Sequence, residues 1–407
     1  MRLRMGRDAL AEPVGWTARA LPTRPVIPIL AGLLLDAVER DRLTLSCFDY
    51  DVSARVSVDA TVAEPGRALV SGRLLAEIAR SLPPQPVDLV SEGDTVILSC
   101  GSARFTLLGL PVEDFPALPG LPPSAGAVDG GRFATAVSQV AAAAGRDDTL
   151  PMLTGVLIEV DGSEMTLVAT DRYRMAVREL GWQPVEPGIK ASVLVPARTL
   201  ADAAKTMIAG TEVAISLAVE GQDEQDPAAG FDNANGLIGF DGGGRRLTTR
   251  LLGTDFVTYR SRFPREFGCR ARLAAGPFSE AIRRVALVAD RESRLLLTFG
   301  AGEVVMETGS DEGSQAVETA EAEFEGEDGF AIAFKPQYLL DGIAAAGAGA
   351  EGQAGTTDGQ EKDAKEGDGI ARAARGGGVT LEFTAPDKPA VITGGPGFRY
   401  LIAPMRT

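Results

Sequence analysis

The chain has 407 residues, 45% of them hydrophobic and 24% charged, the balance of a soluble globular protein with length for roughly two to four domains. It contains no histidine, which excludes Ser-His-Asp and Cys-His catalysis and histidine-ligated metals. Its net charge of −16 excludes a surface that grips DNA phosphates everywhere, so any nucleic-acid role needs a local basic face or a topological hold.

The first residues, Met1-Arg2-Leu3-Arg4, lead into a polar helix rather than an apolar core, so no signal peptide is expected. No apolar run approaches the ~18 residues of a membrane span. Cys47, Cys100 and Cys269 are spaced for neither a metal site nor a disulfide framework, which fits a reducing cytoplasm. The periodicity predicts a helix over Asp8–Leu21, a second over Ser71–Leu82, a third over Gly131–Ala144, then Pro196–Met207, Pro277–Ala289 and Pro336–Ile343. Aligned, the first, third and fifth place Leu10, Phe133 and Phe278 at one position. Val14, Val137 and Ile282 come four residues later, and Thr17, Val140 and Val285 three after that, one buried stripe per helix. The other three align Arg73, Arg198 and Gln337, then Leu75, Leu200 and Leu339, and Pro196 and Pro336 suit a first helical turn. The strand segments Leu43-Thr44-Leu45, Met165-Thr166-Leu167 and Val304-Val305-Met306 recur between the helices. Two helices and strands returning in one order are a threefold internal repeat.

Phe115-Pro116 and Phe263-Pro264 close the first two repeats, and the linkers are Pro119–Pro123 and the region from Arg265 to Ala275. The expected domains are therefore 1–121, 127–264 and 272–407. The fold class is α+β, each domain having two helices packed on antiparallel sheets. Glu220–Gly236 reads as a polar loop and 347–378 as a low-complexity insertion lacking the apolar content to fold. Gly347–Gly352 matches GxGxxG, but no strand precedes it and no proper helix follows, so it is not read as a dinucleotide site.

Between Leu150 and Leu180, Val156, Ile158 and Val160 alternate before an Asp161-Gly162 turn, and Met165 and Leu167 follow it, a hairpin pattern. Thr170-Asp171-Arg172-Tyr173-Arg174-Met175 then sets two arginines around a tyrosine in a strand, which reads as an exposed recognition surface. There is no GxxxxGK[ST] phosphate loop, HExxH or GxSxG, and no cofactor or metal is expected.

From Arg24-Pro25-Val26-Ile27-Pro28-Ile29-Leu30 through this stretch to Tyr400-Leu401-Ile402-Ala403-Pro404-Met405-Arg406, the chain resembles the bacterial replicative sliding clamp, the beta subunit of DNA polymerase III. The resemblance implies three clamp domains per chain, with six forming a ring in a head-to-tail homodimer. It implies a non-catalytic processivity factor that encircles double-stranded DNA without sequence specificity. Its implied partners are the DNA polymerase III alpha subunit, a clamp loader and other proteins carrying a clamp-binding motif, all in the cytoplasm with no membrane. Arg24, Arg73 and Arg198 match DNA-contacting positions, and Arg80, Lys205, Arg283 and Arg284 lie on the same repeated helices. The peptide groove falls on Leu153, Thr170, Arg172, Tyr173, Arg174, Met175, Val257, Arg262, Ile402, Ala403, Pro404, Met405 and Arg406. The dimer seam falls on Phe105, Leu107, Leu287 and Val288. Read without the resemblance, Leu153, Met175 and Met405 also suit a core, and the seam residues suit one-sided core packing.

The chain also departs from the family. Ala403 replaces a usual methionine, Thr407 a leucine, Val257 a proline and Arg262 a small aliphatic residue, while Asp147 puts a carboxylate at a neutral DNA-contact position. Losing one buried Met-sized contact costs about 1–3 kcal/mol, on the order of ten- to a hundredfold in affinity. These changes lead us to expect a specialised clamp that resists a peptide antibiotic aimed at the groove. The alternative is a non-tethering interaction module that sequesters clamp-binding peptides.

Overall fold

The computed structural model describes residues 1–206, 212–217, 236–290, 293–309, 313–351 and 377–406. Met207, nearly all of the Glu220–Gly236 loop, residues 352–376 of the expected insertion and Thr407 lie outside the described residues. The helices are α1 (Arg7–Thr17), α2 (Gly72–Ser81), α3 (Gly130–Ala141), α4 (Pro151–Thr154), α5 (Ala197–Thr206), α6 (Ala275–Val285) and α7 (Pro336–Glu351). All nine residues of the aligned stripes on α1, α3 and α6 are buried, as are Leu75, Leu200 and Leu339. Each such burial of a large apolar side chain contributes about 1.5–3 kcal/mol.

Several element boundaries differ from the sequence reading. Arg2–Met5 is a strand with Leu3 and Met5 inward, not the lead into a helix. The helices α1 and α6 end early and tighten into 3-10 turns over Ala18–Ala20 and Ala286–Val288. Pro196 does not open α5. It closes the strand Lys190–Pro196, which lies at a sheet edge where a missing N–H is tolerated. The helix α7 starts at Pro336 but runs on to Glu351, because the alanine-rich stretch after Ile343 favours helix. The start of the expected insertion, including the described part of the GxGxxG match, is therefore helical.

The chain forms two compact units. The first comprises Met1–Gly131, Trp182–Ile189 and Asp202–Gly253, and holds a fourteen-stranded sheet. Its ladder carries the first repeat into the second, because Val52–Asp59 pairs antiparallel with Arg245–Arg250. Trp16 Nε1 donates to Thr206 Oγ1 at 2.7 Å, and Arg245 Nη1 caps the Thr206 carbonyl at 2.5 Å. Gly72 opens α2 where a Cβ would stand 2.5 Å from Leu21 Cδ1 and 3.1 Å from Leu33 Cβ, so only glycine lets the helix seat there.

The second unit comprises Arg132–Gly181, Lys190–Ala201 and Thr254–Thr407. Its nine-stranded sheet runs Lys190–Pro196, Gly155–Asp161, Glu164–Thr170, Arg174–Gly181, Phe398–Ile402, Ala390–Thr393, Gly378–Phe383, Cys269–Ala274 and Glu323–Glu325. In the hairpin Asp161 pairs with Glu164, so the turn is Gly162-Ser163, one residue later than expected. The end of the chain joins the second repeat through Arg174↔Ile402 and Arg178↔Phe398. A separate four-stranded sheet is ordered Gln315–Glu321, Glu303–Gly309, Leu295–Gly300 and Phe330–Phe334. The helix α7 lies against Phe398–Ile402 and Gly378–Phe383.

Candidate functional site

The expected recognition strand is a turn. Strand Glu164–Thr170 ends and the next begins at Arg174, with Thr170 facing Met175. Residue Arg172 sits at φ +81, a left-handed conformation that costs an L-residue roughly 1–2 kcal/mol. The turn is held from inside. Thr170 Oγ1 donates to the Arg174 carbonyl at 2.7 Å and accepts from the Arg172 amide at 3.2 Å. Asp171 Oδ1 accepts the amides of Tyr173 and Arg174, both at 3.0 Å.

The two arginines therefore diverge. Arg172 is exposed, as expected. Arg174 is not a recognition residue in waiting: its side chain is only 10% exposed and its guanidinium is engaged. Its Nε donates to Asp171 Oδ2 at 2.9 Å, and its Nη1 donates to Asp341 Oδ2 on α7 and reaches the Tyr400 hydroxyl at 3.4 Å. It also lies 4.4 Å above the Tyr338 ring. Burial works against its charge, but Tyr400, Asp341 and Asp171 outweigh burial and push its pKa further up. Burial pushes the Tyr400 hydroxyl far above the usual tyrosine range, against the pull of Arg174. That hydroxyl donates to the Tyr338 carbonyl at 3.0 Å.

Tyr173 is 59% exposed and stacks on Tyr338 with centroids 6.2 Å apart. The tail passes beside it. The Ala403 amide donates to the Tyr173 carbonyl, and the Met405 amide to Ala333, both at 2.8 Å. Arg294 Nη1 holds the Arg406 carbonyl at 2.7 Å. Leu153, Thr170, Met175 and Ile402 are buried, Ala403, Pro404 and Met405 half-buried, and Arg406 exposed. Tyr173, Tyr338 and the tail thus meet in one half-exposed apolar surface. Lys335, whose Nζ lies 5.1 Å from the Tyr338 ring centroid, Tyr338 and Asp341 were missed by the sequence reading; the stretch from Pro336 signalled only a helix.

Val257 and Arg262 make no hydrogen bond, ion pair or ring contact with this cluster among the described residues. Arg262 ends the 3-10 turn Arg260–Arg262, which Tyr259 and Arg260 fasten to Glu159 through hydrogen bonds of 2.5 and 2.9 Å. Beside it lies an open recess of about 450 Å³ lined by Glu159, Asp161, Glu164, Thr166, Lys190 and Arg260. Lys190 pairs with Asp161 and Arg260 with Glu159. Asp147, in the loop after α3, has its pKa lowered by the Thr149 hydroxyl and amide and by Arg172, so it keeps its charge.

The basic residues on and beside the repeated helices separate likewise. Arg24, Arg73, Arg80, Arg198, Lys205 and Arg283 are exposed and in no ion pair among the described residues. Arg73 Nη2 donates to the Pro22 carbonyl at 2.8 Å. Arg284 differs from expectation: Glu318 on Gln315–Glu321 takes it in an ion pair of 2.5 Å, so its charge is already neutralised. The expected seam residue Leu107 is also displaced. It is 2% exposed and faces the core, Phe105 is half-buried, and the next residue, Leu108, is 80% exposed. The strand period of two decides this, since register places Leu107 opposite Val96 and Leu108 opposite Thr95. Leu287 is 82% exposed and Val288 half-buried. Gln315–Glu321 ends its sheet, and Ala103–Leu108 has one edge without a ladder among the described residues.

Among the described residues no group of three or more His, Cys, Asp or Glu could hold a metal, and no helix is long and apolar enough to cross a membrane. The N-terminal, central and C-terminal domains of the DNA polymerase III beta subunit match residues 1–119, 127–257 and 260–348. The beta sliding clamp of Streptomyces coelicolor is 47% identical over 414 residues, covering 100% of this chain and 99% of that protein. The chain belongs to the beta sliding clamp family. It is built of three clamp domains, and the family is the non-catalytic processivity subunit of a DNA polymerase, as the resemblance implied. Clamps of this family bind DNA and polymerase partners. The beta sliding clamp homolog GriR of Streptomyces muensis is 44% identical over 343 residues, 84% of this chain and 88% of that one. The Pseudomonas aeruginosa sliding clamp bound to griselimycin matches in structure with TM-score 0.80 and 25% identity, covering 100% of both chains.

Proposed function

We propose that two copies of this chain, each with clamp domains 1–121, 127–264 and 272–407, close head to tail into a ring around duplex DNA in the cytoplasm. The ring tethers the DNA polymerase III alpha subunit and other motif-bearing proteins through the surface around Tyr173, Tyr338 and the tail, after a clamp loader has placed it on DNA. The observation that carries this reading is the division of charge. In a chain of net charge −16, five helix cations and Arg24, in the loop that follows the first helix, stay exposed and out of ion pairs among the described residues. Exposed, unpaired cations suit loose, sequence-blind phosphate contact, and enclosure prevents escape. The exposed Leu108 and Leu287, with the two open strand edges, support the seam. Processivity on a primed circular template tests the whole: stimulation of polymerase supports the ring, and none would favour the peptide-sequestering module.

A second reading is favoured by the groove itself. Ala403, half-buried beside the Tyr173 carbonyl, removes a side chain that the family usually supplies as methionine, and the Pseudomonas relative holds griselimycin. This is the basis for a clamp that keeps its polymerase and refuses a peptide antibiotic. Titrating griselimycin against this protein and the Streptomyces coelicolor clamp decides it: equal affinity rejects resistance, and Ala403→Met should restore binding if resistance is correct.

A further inference from the structure

We propose that Asp341 is a positioning residue for partner binding, fixing through Arg174 the Tyr173–Tyr338 stack on which a docked peptide rests. The inference deepens the groove reading and rests on it. Asp341 is only 26% exposed and is engaged through both of its carboxylate oxygens. Its Oδ2 takes Arg174 Nη1, and its Oδ1 takes Gln337 Nε2 at 2.7 Å. Arg174 then spans three things that must stay in register. Its Nε holds Asp171, the residue whose other oxygen pins the amides of the turn. Its plane covers Tyr338, and its Nη1 reaches the hydroxyl of Tyr400, itself bonded to the Tyr338 carbonyl.

Arg174 and Asp341 lie 167 residues apart. The ion pair thus ties the strained turn of the second repeat to the first turns of α7 in the third. The turn keeps Arg172 at φ +81 and so stores strain that relaxes when its anchor is lost. A guanidinium in a fixed fork can hold two carboxylates and lie on a ring at once, which a lysine cannot. Without the Asp341 charge, Arg174 keeps Asp171 but loses its reason to lie over Tyr338. Tyr173, more than half exposed, then has no fixed partner. A partner segment meets a mobile ring and must order it on binding, which weakens association.

The experiment uses the full-length protein labelled with 3-fluorotyrosine, as wild type, Asp341→Asn and Asp341→Glu, with the alpha subunit of the same organism's replicative polymerase as binding probe. We expect Asp341→Asn to move the ¹⁹F resonances of Tyr173 and Tyr338, assigned by single Tyr→Phe replacements. We also expect it to weaken polymerase binding by about tenfold while sedimentation shows the same oligomer as wild type. Asp341→Glu keeps the charge and should recover most of the affinity. Unmoved ¹⁹F resonances in Asp341→Asn overturn the proposal, and so does unchanged polymerase affinity. If Asp341→Asn does not fold, Asp341→Glu decides: a folded protein with the wild-type stack and a tenfold loss of affinity also overturns it. A wild-type protein that does not bind polymerase at all defeats the groove reading instead.

Discussion

At Arg172 the backbone sits at φ +81 and the side chain is exposed. Thr170 and Asp171 supply the hydrogen bonds that hold it. Arg172→Gly removes the left-handed penalty and returns some of it as unfolded-state entropy. Chemical denaturation should show a gain of about 0.5–1 kcal/mol. The pair Arg284–Glu318 gives a residue-scale prediction in pH. Hydrogen bonding to Arg284 holds the Glu318 carboxyl below its ordinary 4.5. A depressed folded pKa contributes stability that is present above the unfolded value and lost as pH falls through the folded one. The difference in Tm between the protein and Glu318→Gln should be constant near neutrality and vanish in acid below pH 4.5. Arg174 teaches a related lesson. The motif Thr170–Met175 showed that something special happens there, and the sequence read it as exposed recognition. Two carboxylates, one of them 167 residues away, made it a strut.

Among the elements, α7 shows how far local pattern reaches. Its start at Pro336 and its buried Leu339 were legible, and its end was not. The low-complexity composition from Gly347 reads as unfolded, yet the alanines after Ile343 propagate a helix that has already begun, on to Glu351. Gly342 is the point where α7 meets the site. A Cβ there would lie 2.7 Å from Tyr400 Cδ1 and Cε1. Gly342→Ala gains helix propensity of at most ~1 kcal/mol but forces a fully buried ring, and overpacking costs about 1–3 kcal/mol. We expect a net loss of stability by urea unfolding, larger than that of Gly276→Ala, whose Cβ meets nothing within 4 Å.

For the whole molecule, closure of a ring is the testable matter, and Leu107 and Leu108 separate folding from assembly. Leu108→Lys places a charge on the exposed face and should raise the dimer dissociation constant in sedimentation by ten- to a hundredfold, about 1–3 kcal/mol, with Tm little changed. Leu107→Lys buries an unpaired ammonium and should unfold the first domain instead.

The sequence by itself determined the threefold repeat, the buried stripes of α1, α3 and α6 and membership of the clamp family, because each of these is written in residues close enough to share a helix or a strand. Only the tertiary structure decided which of two neighbouring leucines faces out, which helix arginine is already neutralised by Glu318, and that Arg174 is held between Asp171 and Asp341. Those outcomes depend on ladder register and on partners far along the chain, and the energy of a charge is set by what surrounds it rather than by what precedes it.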